Sequence, residues 1–218
     1  MNTINGYIDH TLLNPTATKE MIIALCSEAN LYKFKSVCVH GSHVDTAYEQ
    51  LRDTPVLVCT VVGFPLGASS TASKIAEAEH AVSDGASEID MVVNQGWIKE
   101  KDYHRVLQEV HFVKKAIAGA ELKVIIETSN LSESEIEATS RAVVDGGADF
   151  VKTSTGFGQR GASLDDIRII RNAIGNSAFI KASGGIKNYE QARAFIDAGA
   201  HRIGTSSGVQ IVNEFGRQ

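Results

Sequence analysis

Three charged side chains stand in apolar segments of this sequence, where charged residues are uncommon. Lys152 and Lys181 each follow a phenylalanine and a β-branched residue, and Asp90 lies between Ile89 and Met91. Burying an ammonium group is costly unless a carboxylate compensates it. A lysine in such a place is therefore either paired with a carboxylate or held partly desolvated as a neutral nucleophile. The segment around Lys152, taken alone, leaves both interpretations open.

Lys152 and Lys181 would influence each other strongly if they lay at the same depth on neighbouring strands. At a separation of about 5 Å and an effective dielectric constant of about 20, two ammonium groups repel each other by roughly 3 kcal/mol. Desolvation also disfavours the charged form. One amine would then be neutral and able to attack a carbonyl, while the other would donate protons and Asp90 would transfer them. The set predicts Schiff-base chemistry, and the alternative is a structural Lys–Asp–Lys ion network.

The segments that carry these residues belong to a repeated strand–helix pattern. Eight short apolar runs recur about every 28 residues with helical patterns between them, which indicates a parallel sheet. The predicted fold is α/β, a single-domain (β/α)8 TIM barrel over residues 1–218. An open doubly wound sheet is the alternative, but the glycine-rich loop that usually follows its first strand is missing here. The runs begin near Tyr7, Ser36, Val56, Glu88, Leu122, Phe150, Phe179 and Arg202.

A glycine at a helix end precedes three of these runs and relates their polar residues. The fifth residue after this glycine is Asp90 in the fourth run, Lys152 in the sixth and Gly204 in the eighth. Because side chains alternate between the two faces of a strand, the equal spacing predicts that these three positions share a height and a face. A general preference of such turns for Gly-Ala would explain the glycines. It would not explain why polar residues recur at the same position of otherwise apolar strands.

Glycines and serines are concentrated after the last three runs. Barrels of this class commonly hold phosphate in the loops after strands seven and eight, at a helix N-terminus, where glycine lets the backbone approach the anion. Glycines are also common in such loops simply because tight turns favour glycine. The predicted phosphate-binding residues are Gly156, Gly184, Gly185, Gly204, Ser206 and Ser207.

Composition and charge argue against several classes of function. The net charge of −5 gives no electrostatic basis for binding nucleic acid or an anionic membrane, and no apolar stretch reaches about 18 residues. The histidines are not clustered like metal ligands, so neither a metal nor another cofactor is expected. The first residues, Met1–Asn5, do not resemble a signal peptide, and three cysteines in apolar surroundings indicate reduced thiols. A cytoplasmic location is expected.

Six segments carry a resemblance to a known family. They are Asp9–Leu12, Glu88–Asn94, Lys123–Thr128, Phe150–Gly156, Lys181–Ile186 and Gly204–Gly208. Each segment alone is weakly specific. Together, across nearly the whole chain, they resemble the deoxyribose-phosphate aldolases, a family of class I aldolases with a (β/α)8 barrel.

The resemblance implies a role for each candidate catalytic residue. Lys152 would form the Schiff base, and Asp90 and Lys181 would donate and accept protons. The implied reaction is the reversible cleavage of 2-deoxy-D-ribose 5-phosphate to D-glyceraldehyde 3-phosphate and acetaldehyde, without a metal, because the iminium takes up the electrons. A cytoplasmic role in deoxynucleoside breakdown and a homodimer are also implied. The alternatives are another phosphate-binding barrel lyase or isomerase acting on a sugar phosphate, and a barrel that binds phosphosugars without catalysis.

The sequence departs from the family at two places near the expected phosphate site. No tyrosine follows Tyr189, whereas some members end in a tyrosine-bearing tail that reaches the site. Phe157 stands where some members have a lysine directly after Thr-Gly. Phosphate binding is therefore expected to depend more on the Gly184-Gly185 pair, Ser206 and Arg160.

Overall fold

Eight parallel strands form a closed barrel in chain order, β1 to β8. This computed structural model describes residues 4–216; residues 1–3 and 217–218, at the two ends of the predicted domain, lie outside that range. The closed barrel confirms the (β/α)8 fold, and each strand begins at or next to the residue where an apolar run predicted it. The strands are β1 (Ile8–Thr11), β2 (Ser36–Val39), β3 (Leu57–Val62), β4 (Glu88–Val92), β5 (Glu121–Ile125), β6 (Phe150–Lys152), β7 (Phe179–Ser183) and β8 (Arg202–Thr205).

Helices separate successive strands along the chain, with two helices between β4 and β5. Short 3-10 helices cover Ile4–Tyr7, Gly41–His43 and Thr128–Asn130. No helix within residues 4–216 combines the length and apolar character needed to cross a membrane. The α-helices are α1 (Lys19–Tyr32), α2 (Val44–Leu51), α3 (Thr71–Ser83), α4 (Gln95–Lys99), α5 (Tyr103–Ala116), α6 (Glu133–Asp145), α7 (Leu164–Ile174), α8 (Tyr189–Asp197) and α9 (Gly208–Phe215).

Reciprocal hydrogen bonds begin the two helices that follow β5 and β6. The Ser132 hydroxyl accepts from the Glu135 N–H, and the Glu135 carboxylate accepts from the Ser132 N–H. Ser163 and Asp166 form the same arrangement at the start of α7. Such pairs satisfy N–H groups that the first helical turn leaves without partners. They therefore fix where the loops after β5 and β6 end, and those loops border the site described below.

Successive side chains of each strand alternate between two buried faces. One face packs in the apolar core, and the other points into the barrel and carries charged residues. Ile89, Val124 and Val151 are fully buried in the hydrophobic core. The alternate positions point into the barrel, and several carry charged groups where branched apolar residues are usual. Lys152 lies opposite Lys181 in the register of β6 and β7, which confirms that the two lysines occupy matching depth on neighbouring strands.

Candidate active site

Seven charged side chains meet inside the barrel. They come from six strands, are almost fully buried, and each lies within ion-pair distance of at least one other member, as buried charges require. We call this set the interior charge cluster. Its members are Asp9, Glu88, Asp90, Lys123, Lys152, Lys181 and Arg202.

Asp90 lies at the centre of the interior charge cluster. Its Oδ2 accepts hydrogen bonds from the Nζ of Lys152 at 2.7 Å and the Nζ of Lys181 at 2.6 Å. Its Oδ1 accepts a third from the Nζ of Lys123 at 3.0 Å. Burial alone would raise the pKa of Asp90, but the three ammonium groups outweigh burial and hold that pKa well below its usual range. Asp90 is therefore a carboxylate at neutral pH, and it links lysines from three strands.

Lys181 is the member of the lysine pair that stays charged. Its Nζ lies 2.6 Å from Asp9 Oδ2 as well as 2.6 Å from Asp90 Oδ2. Burial would lower the pKa of Lys181, but the carboxylates of Asp9 and Asp90 raise it well above its usual value. The sequence predicts a repelling pair of lysines, whereas the structure places the Asp90 carboxylate between them. The charge balance of the whole cluster, rather than one repulsion, therefore decides which amine can be neutral.

The part of the cluster nearer the amino ends of the strands is an ion-pair network. Arg202 donates to both Glu88 carboxylate oxygens, at 3.0 and 2.8 Å, and from Nε to Asp9 at 2.7 Å. Lys123 donates to Glu88 at 2.7 Å. Burial would lower the pKa of Arg202, but Asp9 and Glu88 raise it. A structural ion network of the kind considered from the sequence thus exists, but it lies beneath the lysine pair and is built mainly from other residues.

The charge count singles out Lys152. Four cations and three carboxylates leave the cluster with one excess positive charge when every member is ionised; the half-exposed Glu121, 3.8 Å from Arg202, lies at its edge. Within residues 4–216, Lys152 has one carboxylate contact, with Asp90, whereas the other two lysines have two each. Lys152 is therefore the lysine of the cluster with the fewest carboxylate partners, so its loss would remove the excess charge with the smallest loss of ion pairing.

A cavity of about 330 Å³ opens at the carboxyl ends of the strands, where barrel enzymes place their active sites. Lys152 lies in its lining, whereas Asp90 and Lys181 do not line it and are fully buried. A substrate in the cavity would therefore meet Lys152 first. Five of the predicted phosphate-binding residues line the same cavity: Gly156, Gly184, Gly185, Gly204 and Ser206.

Two of the predicted phosphate-binding residues differ from the expected arrangement. Ser207 does not line this cavity; its N–H donates to the Thr205 hydroxyl at 2.9 Å, and it lines a neighbouring groove together with Ser206. The chain turns into α9 at this point, which carries Ser207 away from the cavity. Gly204 has a second role, because a Cβ there would lie 3.1 Å from Lys181 Cε. The missing side chain at position 204 thus leaves space for a lysine of the charge cluster.

The cation at the rim of the cavity is a residue that the sequence interpretation missed. Lys187 is exposed and lines the cavity shortly after the Gly184-Gly185 pair. Arg160, which was expected to help bind phosphate, does not line the cavity. Its guanidinium donates to both carboxylate oxygens of Asp166, at 2.6 and 3.0 Å. The signal for Lys187 was its position just after two glycines at a strand end, where an anion site was already predicted.

Cys38, Cys59 and Asp90 form the one group in the described chain whose donor atoms are close enough to hold a metal ion, within 4.8 Å of one another. Asp90 already accepts from three ammonium groups, and the Cys59 thiol donates to Asp90 Oδ1 at 3.2 Å. Burial raises the pKa of the Cys59 thiol well above its usual value, so this sulfur is protonated. The chemistry of the set therefore favours ammonium partners over a metal cation.

Known proteins are similar to this chain in sequence and in fold. A model of the DeoC/LacD family aldolases matches residues 3–214. A deoxyribose-phosphate aldolase from Caldanaerobacter subterraneus subsp. tengcongensis is 51% identical over 214 residues, which cover 97% of this chain and 93% of the relative. The solved structure of an aldolase designated QR15 has a TM-score of 0.96 at 40% identity, covering 100% of this chain and 97% of that one. A deoxyribose phosphate aldolase from Aeropyrum pernix, described as a unique tetramer, has a TM-score of 0.91 at 32% identity, covering 98% and 91%.

Proposed function

This chain belongs to the DeoC/LacD family of aldolases, and we propose that Lys152, Lys181 and Asp90 are its catalytic residues. The protein is a lyase that cleaves 2-deoxy-D-ribose 5-phosphate reversibly to D-glyceraldehyde 3-phosphate and acetaldehyde, in keeping with the deoxyribose-phosphate aldolases to which it is similar. The observation that carries the assignment of roles is the shared Oδ2 of Asp90, which accepts from both Lys152 and Lys181 beside the cavity.

Lys152 acts as the nucleophile. Its neutral Nζ attacks C1 of the open-chain sugar and forms a carbinolamine, which loses water to give a protonated imine. The charged Lys181 is the general acid that assists loss of the hydroxyl, since its ammonium group contacts the same Asp90 oxygen as Lys152. Asp90, ionised at rest, accepts a proton from one amine, passes it to the other and returns to its ionised form after each transfer.

The protonated imine then takes up the electrons of the breaking bond. The C3 hydroxyl gives its proton to Lys181, which lost one when the carbinolamine was dehydrated; the C2–C3 bond breaks, and C3 becomes the aldehyde carbon of D-glyceraldehyde 3-phosphate. The electron pair of that bond forms the enamine of acetaldehyde on Lys152. Protonation of C2 by the Lys181–Asp90 pair regenerates the imine, and water releases acetaldehyde and the free amine. The electrons return to carbon at the end, so neither oxidant nor reductant is needed.

The phosphate group lies on the glycine side of the cavity. Gly184 and Gly185 have φ values of 86° and 77°, a backbone conformation that glycine adopts easily, and together with Gly156, Gly204 and Ser206 they form the wall. Lys187 supplies the cation, as a point charge on a flexible stem. Ser207 acts from the adjacent groove through the N-terminal end of α9.

The proposal also covers the domain organisation, the cellular location and the oligomeric state of the enzyme. Residues 1–218 form one aldolase domain, supported by the family match over residues 3–214 and the single closed barrel. The three cysteines are free thiols, which supports a cytoplasmic location. The chain assembles as a homodimer, and light scattering would distinguish a dimer from the tetramer described for the Aeropyrum pernix protein.

A coupled assay of cleavage tests the proposal. Wild-type protein and Lys152→Met are incubated with 2-deoxyribose 5-phosphate, and acetaldehyde is followed through reduction by alcohol dehydrogenase. We expect turnover in the wild type and none in Lys152→Met, with both proteins folded by circular dichroism. Full turnover by Lys152→Met would contradict the assignment of the nucleophile. Isomerisation of a sugar phosphate by the wild type without release of acetaldehyde would contradict the reaction.

A further inference from the structure

Glu127 is a buried carboxylate that the mechanism above does not use. It lies just beyond the end of β5 and begins the short helical turn Thr128–Asn130, and only 2% of its surface is exposed. Its φ of 53° is in the left-handed region, which residues with a Cβ seldom adopt. Such a conformation persists where surrounding contacts determine it, often at functional sites.

The Glu127 carboxylate is bonded to the loop that follows the nucleophile. Its Oε2 accepts from the Thr155 hydroxyl at 2.5 Å and from the Thr155 N–H at 3.2 Å, and its Oε1 accepts from the Ser129 hydroxyl at 3.3 Å. The Thr155 hydroxyl, having donated its proton to Glu127, accepts from the Phe157 N–H at 3.0 Å. A continuous chain of hydrogen bonds thus runs from Glu127 to the peptide group between Gly156 and Phe157.

This hydrogen-bonded segment is a wall of the substrate cavity. Thr155, Gly156 and Phe157 all line the cavity that contains Lys152. Gly156 and Phe157 are themselves exposed, and the ring of Phe157 packs edge to face on Phe64, with centroids 5.4 Å apart. The backbone at Phe157 is held by its bond to the Thr155 hydroxyl and, through Thr155, by Glu127.

The far end of the same loop is fixed to the same short turn. Arg160 pairs with Asp166 and donates to the Thr128 carbonyl at 3.3 Å. Between the two ends, Gly158 passes so close that a Cβ there would lie 3.0 Å from Glu127 Oε1. Residues 155–160 thus form an arch held at both ends on residues 127–128. Arg160, which does not touch the cavity, contributes to the arch and not to a direct phosphate contact.

We propose that Glu127 is a positioning residue that holds residues 155–157 as the cavity wall against the phosphosugar. The inference rests on the proposed function, since the wall matters only for a substrate that fills the cavity. Imine formation with acetaldehyde needs Lys152 and its partners Lys181 and Asp90, but not the wall. Loss of the Glu127 carboxylate therefore weakens use of the phosphorylated sugar and leaves imine formation with acetaldehyde intact.

The test compares Glu127→Ala, Glu127→Gln and the matched control Glu79→Ala, whose glutamate is exposed on α3. Two quantities are measured for each: KM and kcat for 2-deoxyribose 5-phosphate, and the rate of borohydride trapping of acetaldehyde on Lys152. We expect Glu127→Ala to raise KM about tenfold, the factor that corresponds to about 1.4 kcal/mol. Glu127→Gln keeps an oxygen that accepts from Thr155, so its KM stays near the wild-type value. Trapping of acetaldehyde stays within about twofold of wild type in all three proteins.

Thr155→Val supplies a second route, in case Glu127→Ala does not fold. It removes the hydroxyl that joins Glu127 to Phe157 without changing residue 127, and it should raise KM as Glu127→Ala does. The double variant should be no worse than either single one, because both remove one chain of hydrogen bonds.

Three results would overturn the inference. They are an unchanged KM in both Glu127→Ala and Thr155→Val, a Glu127→Gln protein as impaired as Glu127→Ala, and a parallel loss of acetaldehyde trapping, which would mean that β6 itself had shifted. Absence of any cleavage by the wild-type protein would instead overturn the proposed function, so the two failures are distinguishable.

Discussion

Replacement of Asp90 by asparagine tests the charge balance of the barrel interior. The substitution keeps the shape of the side chain but removes the carboxylate that accepts from three ammonium groups at 2.6 to 3.0 Å. At these distances and an effective dielectric constant of about 20, each contact has a Coulomb energy of roughly 6 kcal/mol before desolvation. Removing one partner of a buried ion pair typically destabilises a protein by about 3–5 kcal/mol. We expect Asp90→Asn to lose that much stability and to lose turnover.

Thermal unfolding provides the assay. For a domain of this size, about 3–5 kcal/mol corresponds to a decrease in Tm of roughly 6–20 °C. The decrease should be larger at pH 6 than at pH 9, because the ammonium groups left without a partner lose their protons more easily as pH rises. Asp53→Asn, at a side chain that is 93% exposed, is the matched control and should leave Tm unchanged.

A second substitution tests the charge balance of the interior charge cluster even if Asp90→Asn alone does not fold. Asp90→Asn raises the excess positive charge of the interior charge cluster from one to two. Adding Lys181→Met returns it to one, so the double variant should be more stable than Asp90→Asn alone, although it carries an additional substitution. A double variant less stable than Asp90→Asn, or an Asp90→Asn protein with the Tm of the wild type, would contradict the charge-balance argument.

Three further predictions concern the nucleophile, the phosphate site and acid stability. Lys152→Met removes the excess charge and a single ion pair, so its Tm should equal or exceed that of the wild type; a clear decrease would contradict the charge count. Lys187→Ala should raise KM for 2-deoxyribose 5-phosphate about tenfold but leave cleavage of unphosphorylated 2-deoxyribose unchanged; equal effects on both sugars would exclude a phosphate contact. The pKa values of Asp9 and Asp90 are lowered in the folded state, so their stabilising effect is complete above about pH 4 and lost as pH falls further. Tm should therefore decrease steeply below about pH 4, and a constant Tm down to pH 2 would refute the direction of these shifts.

The sequence predicted the barrel and the lysine pair because both depend on patterns along the chain. Eight apolar runs with helical patterns between them require a parallel sheet, and the alternation of side chains fixed the faces of Lys152 and Lys181. The register of β6 and β7 confirms their matching depth.

Contacts across the barrel could not be predicted in the same way, because they depend on strand stagger and side-chain length. Asp90 lies level with Lys123, and Lys123 lies level with Phe150. Lys152 is therefore two residues beyond the register partner of Asp90, an offset that matches the stagger of the barrel over two strands, and its Nζ reaches Asp90 Oδ2 across β5. The bonds from Arg202 to Glu88 join strands on different sides of the barrel, a pairing that no spacing along the chain indicates.

The phosphate site was predicted in part for a related reason. Glycine and serine patterns identified the loops, but not which side chains point into the cavity. Ser207 turns away with the start of α9, and Arg160 pairs with Asp166, three residues into the next helix. Lys187 lies beyond the glycine pattern, and by residue type alone a single exposed lysine in a loop has no sequence signal that separates it from other surface lysines.

We propose that Lys152 forms an imine with the substrate, and borohydride trapping followed by mass spectrometry tests this role most directly. The protein is incubated with 2-deoxyribose 5-phosphate, reduced and digested, and the modified peptide is identified. We expect a two-carbon adduct from the acetaldehyde enamine, or the reduced sugar phosphate, on Lys152 and on no other lysine. An adduct on Lys181 would exchange the roles assigned to the two lysines. Release of acetaldehyde without any adduct would contradict the imine mechanism.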